Sequence, residues 1–111
     1  MSNIELKIPH IIGPEEALKR IKNLITNLKE EHSGKIKGAK EDWSGQEGNF
    51  SFSVKGIRVS GKIYVGVDTV RISSRLPIVL SFYKNTITKM IWAKGSELLN
   101  DQQGAENISG K

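Results

Sequence analysis

No cysteine occurs among the 111 residues, which rules out disulfides, thiolate zinc sites, iron–sulfur clusters and cysteine nucleophiles. A chain without cysteine fits a reducing compartment. Histidine is almost as scarce: only His10 and His32 are present, with no HxxxH or HExxH spacing to suggest a metal. His10 reads as a turn or capping residue after a strand, and His32 as a cation near a helix C-terminus. Long apolar runs are missing, since no stretch approaches the roughly 18 residues of a membrane span. The opening MSNIELKIPH carries an acid and alternates polar with apolar, unlike the apolar core of a secretory signal. These features predict a cytoplasmic protein. Motifs of catalysis are lacking too: no GxSxG elbow, no Walker loop, no GxGxxG. Gly56, Gly61 and Gly66 keep a turn rhythm. The acid pairs Glu15/Glu16, Glu30/Glu31 and Glu41/Asp42 read as helix-end and loop charges rather than carboxylates in a dry cleft. The expectation is a protein with no catalytic residues, no cofactor and no metal, which binds rather than transforms.

What is present is one ordinary globular domain, 37% hydrophobic and 26% charged. Ile4, Leu6 and Ile8 alternate with Glu5 and Lys7, the period of a half-buried strand, and Pro9 ends it. Gly13-Pro14-Glu15-Glu16 starts a helix whose stripe is Ala17, Ile21, Leu24, Ile25 and Leu28, closed near residue 32 by Gly34. Residues 36–43 form a weaker, lysine-rich strand, and 44–49 a turn. Phe50, Phe52 and Val54 alternate with serines. Lys55-Gly56 is a tight turn. Val59, Gly61, Ile63 and Val65 mark the next strand, and Val70, Ile72 and Ser74 the last. From Pro77 a second helix carries Leu76, Leu80, Tyr83, Ile87 and Ile91 on one face, with Gly95 as its breaker. The predicted class is therefore α+β, ordered β-α-β-β-β-β-α, an antiparallel sheet with both helices packed on one face. Residues 1–99 make the domain, and the polar 100–111 reads as a flexible tail.

The net charge of +5 is unevenly spread. Residues 1–54 balance, whereas residues 55–94 hold eight cations against Asp68 alone. Such a field favours anionic partners, and Arg58, Lys62, Arg71, Arg75, Lys84 and Lys89 are the candidate contacts. The plainer alternative is a solvated basic face. Nucleic acid is the less favoured anionic partner, because aromatics are few and no RNP-like or KH-like pattern is present. On the last helix, Ile78, Phe82, Trp92 and Leu99 fall opposite the main stripe at 100° per residue. Phe82 and Trp92 are the candidate hydrophobic interface, either for a surface or for a homodimer, unless they are scattered exposed side chains.

Several segments, in order, resemble the polyhydroxyalkanoic acid system protein family, also described as the polyhydroxyalkanoate granule-region family. They are PHIIGPEEALKR at 9–20, Trp43-Ser44-Gly45, Phe50, VSGKI at 59–63, Asp68 with Val70, Leu76-Pro77 and Phe82-Tyr83-Lys84. The resemblance spans residues 3–99 and departs at the polar tail and around 35–41. It implies a bacterial accessory protein associated with storage-polyester granules, and it brings no catalytic residues with it. A curved sheet against a long C-terminal helix is also similar to the helix-grip arrangement, which encloses lipids or acyl groups. A small hydrophobic-ligand carrier is thus the second expectation, and nucleic-acid binding through residues 55–94 the third.

Overall fold

Alternating apolar residues build a five-stranded antiparallel sheet in the computed structural model, which describes residues 2–105. The strands are β1 (Ser2–Pro9), β2 (Ile36–Ser44), β3 (Glu47–Val54), β4 (Ile57–Val65) and β5 (Thr69–Leu76), in the spatial order β1-β5-β4-β3-β2. Short hairpins join β2 through β5, as the sequence requires. The pairing of β1 with β5, from Ser2 opposite Leu76 to Pro9 opposite Thr69, is set by the tertiary fold. Lys55 and Gly56 both have positive φ (54° and 78°), the backbone of a type I′ turn that matches the twist of β3 and β4.

The lysine-rich β2 has a physical reason for its weak alternation. Gly38, at φ +62°, forms a bulge: Lys37 pairs with Ser53, but it is Lys40 that pairs with Ser51. The extra residue reverses the parity of the strand, so Ile36 before it and Trp43 after it both turn to the core side. The Trp43 indole then covers Gly48, where a Cβ would lie 2.7 Å from the ring. The turn after β2 is shorter than 44–49, because β3 already begins at Glu47.

Helices lie on one face only. The expected N-terminal helix is two: α1 (Gly13–Ile21) and α2 (Leu24–Glu31). Asparagine suits a helix interior poorly, and at Asn23 the chain bends while the amide donates to the Arg20 carbonyl. All five stripe residues, Ala17, Ile21, Leu24, Ile25 and Leu28, are buried. His32 caps α2, and its carbonyl accepts from the amides of Lys35 and Ile36, so the stop does not use Gly34.

The C-terminal helical region begins as a 3₁₀ segment (Ile78–Tyr83) after Pro77 and becomes α3 (Lys84–Ala105). Gly95 does not break α3. It lets the helix press on β1, since a Cβ there would be 2.7 Å from Ile8 Cδ1. The buried stripe of α3 advances in steps of four, through Ile87, Ile91, Gly95 and Leu99. Each step drifts about 40° around the axis, so Leu99, expected on the outer row, is in the core. Of the residues read as a tail, 100–105 continue α3, and 106–111 lie outside the described residues.

Candidate functional site

The 3₁₀ geometry sorts the residues before α3 three to a turn, so positions i and i+3 eclipse. Leu80 and Tyr83 face inward, Leu80 into the core and Tyr83 onto a cleft. Val79 and Phe82 share an outer edge, 59% and 94% exposed, with Ile78 beside them at 69%. Tyr83 is followed by Thr86, Ile87 and Met90 at helical spacing. These side chains face the start of β2 and the β3–β4 turn across an open cleft of about 590 Å³. Ile36, Val54, Ile87 and Met90 supply its apolar lining, and Lys35, Lys37 and Lys55 its rim. The Lys55 ammonium stands 5.3 Å from the Tyr83 ring centroid, in a cation–π contact. Among the described residues, none of these three lysines is in an ion pair. The arrangement is an apolar trough with a cationic rim, suited to an alkyl chain that carries an anionic head.

Trp92 is not part of this site. It is 42% exposed, and on α3 it stands 200° from Met90, on the opposite flank of Ile91. The two residues expected to make one hydrophobic interface are both exposed and sit on different elements, Phe82 on the 3₁₀ segment and Trp92 on α3. Leu99 leaves that row for the core, while Ile78 and Phe82 belong to the 3₁₀ segment.

Of the six candidate anion contacts, the sheet gathers four. Arg58 and Lys62 on β4, and Arg71 and Arg75 on β5, all project from the face that no helix covers. Lys84 and Lys89 are on α3, in the other layer.

His10 lies at the far end of β4 from the cleft. It is buried, its amide donates to the Asp68 carbonyl at 2.9 Å, and its Nε2 is 3.2 Å from the Gly66 carbonyl oxygen. These contacts pin the exit of β1 to the β4–β5 turn. Its Nδ1 has no hydrogen-bond partner. No cluster of three or more metal-ligating side chains occurs among the described residues. His32 is the α2 cap, as its position suggested. The cleft is not visible in the sequence because its walls come from three separate stretches, 34–37, 53–56 and 83–90. The signal available was the spacing of Tyr83, Thr86, Ile87 and Met90, of which Tyr83 and Ile87 read as core stripe.

A family model of polyhydroxyalkanoic acid system proteins matches residues 4–99. The chain belongs to that family. Among solved structures it is similar to Ara h 8.0201, with a TM-score of 0.53 and 9% identity, over 90% of this chain and 98% of that one. At that identity the likeness establishes the fold alone, a sheet laid against a long C-terminal helix. None of the curated proteins compared with this family member matches it. No helix among its described residues is long and apolar enough to cross a membrane.

Proposed function

We propose that this family member is a non-catalytic binding protein of the polyester system, whose cleft takes the acidic end of a hydroxyalkanoate chain. The observation that carries this reading is the apolar trough of about 590 Å³ rimmed by Lys35, Lys37 and Lys55. A hydroxyalkanoate offers what such a site lacks: methylenes for Ile36, Val54 and Met90, and a carboxylate for the lysines. The helix-grip likeness supports the same placement, between the sheet end and the helix.

The test is calorimetric titration with straight-chain 3-hydroxyacids and their methyl esters. Affinity should rise by up to about fourfold per added methylene until the trough is full, since each buried methylene is worth about 0.8 kcal/mol. The esters should bind more weakly than the acids. Changing Lys35, Lys37 and Lys55 together to Gln should remove that preference. Equal affinity for acid and ester would refute the role given to the lysines. No binding of either would refute the cleft.

Granule association fits the exposed edge beside the cleft. Val79 and Phe82, next to Lys84, form a short apolar prow that would enter a polyester or lipid boundary and present the trough to chain ends. Co-sedimentation with polymer granules should fall with Phe82→Ser and hold with Trp92→Ser, because Trp92 is on α3, outside the edge formed by Ile78, Val79 and Phe82. A homodimer through Phe82 would instead show as a concentration-dependent mass in sedimentation equilibrium.

A further inference from the structure

We infer that the uncovered face of the sheet binds a single strand of nucleic acid through its phosphate backbone, at a site separate from the cleft. The register places Arg75 opposite Ser60, Lys62 opposite Ser73 and Arg71 opposite Tyr64. Arg58 stands one step beyond Ser60 on the same face of β4. The four cations therefore alternate between two adjacent central strands, two residues per step. With about 3.4 Å of rise per residue and about 4.8 Å between strands, neighbours in this column stand roughly 8 Å apart and the column is about 20 Å long.

Among the described residues, none of the four cations is in an ion pair. Only Arg58 has a side-chain partner, donating to Ser51 Oγ at 2.9 Å and Ser53 Oγ at 3.4 Å, both neutral. The acids of this face, Glu5, Asp42 and Glu47, are on β1, β2 and β3, beside the column rather than in it. Midway, the face sinks into a depression of about 480 Å³ where Asn49, Ser60 and Ser73 stand among Lys62 and Arg75, with Glu5 lining its β1 side.

The chemistry chooses the occupant. The column holds no apolar side chain beyond the half-exposed Tyr64, so it lacks the greasy centre of a protein interface and the anchor of a lipid-binding surface. A line of unpaired cations interleaved with hydroxyls fits a line of phosphates. One column follows one backbone. A single aromatic gives no platform for stacking successive bases, so binding is indifferent to sequence.

Fluorescence anisotropy with labelled oligothymidylate and mixed-sequence strands of about 16 nucleotides tests this. Both should bind alike at low salt, and log affinity should fall against log salt with a slope of about −3, as expected for four contacts to a single strand. Lys62→Gln with Arg75→Gln should halve the slope and weaken binding about tenfold or more at low salt. Lys22→Gln with Lys29→Gln, which removes the same charge from the helical layer, should leave binding unchanged. Circular dichroism confirms that both variants fold. Absent binding at low salt, equal losses in the two variants, or tighter binding of a duplex of the same length would each overturn the inference.

Discussion

A Cβ on Gly61 would stand 2.3 Å from the Ser73 carbonyl oxygen and 2.6 Å from Phe50 Cζ. The first neighbour is backbone in the middle of a sheet, and the second is a ring already stacked on Phe52 at 6.0 Å. Neither can yield without disturbing the ladder. Gly61→Ala should therefore destabilise the protein by about 1–3 kcal/mol, measured by urea unfolding. Gly95 presents the opposite balance. Its obstacle is the tip of one isoleucine side chain, and alanine in a helix interior gains about 1 kcal/mol over glycine. Gly95→Ala should lie within about 1 kcal/mol of the parent. Lys55 holds a left-handed backbone that costs a lysine more than an asparagine. Lys55→Asn should raise the melting temperature while it weakens acid binding, because the turn and the cleft ask different things of this residue.

Between elements, the decisive polar contact is Lys94. It is nearly buried on α3, and it reaches Glu31 at the end of α2 and Glu97 one turn along, the latter at 2.9 Å. The ammonium thus also meets the negative end of the α2 dipole. Its hydrogen bond to Glu31, then that to Glu97, raises its pKa above the usual lysine value despite the opposing effect of burial. A lysine whose pKa is raised on folding gives stability that is fully present below its unfolded value. That stability is lost as pH climbs through the folded one, which places the loss above about pH 10. Urea unfolding should show Lys94→Met less stable than the parent by about 1 kcal/mol at neutral pH, with the gap closing at strongly alkaline pH. A gap that stays constant across that range would mean the stem of Lys94, and not its charge, joins the helices.

Across the whole molecule, the cleft and the cation column occupy different parts of one sheet. The cleft lies at the end of the sheet beneath the 3₁₀ segment, and the cation column runs over the face that the helices leave open. They should therefore be separable. The Lys62/Arg75 variant should keep the parent's affinity for hydroxyacids, and the Lys35/Lys37/Lys55 variant should keep the better part of its oligonucleotide affinity. Loss of both in either variant would point to one diffuse electrostatic field in place of two sites.

The order of elements, the covered face of the sheet and the family were legible in the sequence, because alternation in Phe50–Val54 and Val59–Val65 and the Ala17–Leu28 stripe are local patterns. The resemblance of short motifs supplied the rest. Local patterns also carried the uneven charge, but not its arrangement: only the register of β4 on β5 turns Arg58, Lys62, Arg71 and Arg75 into one column. In the outer row of the last helix, Ile78, Phe82 and Trp92 are exposed as expected, and Leu99 departs for a related reason. A 100° count started at Leu76 runs through the 3₁₀ segment as if it were α-helix, whereas within α3 alone Leu99 stands about 80° on from Ile91, at the end of the buried i+4 stripe. Periodicity along a chain decides which residues face a core. Which residues from distant segments meet one another depends on pairing and helix packing, contacts that no single stretch of sequence encodes.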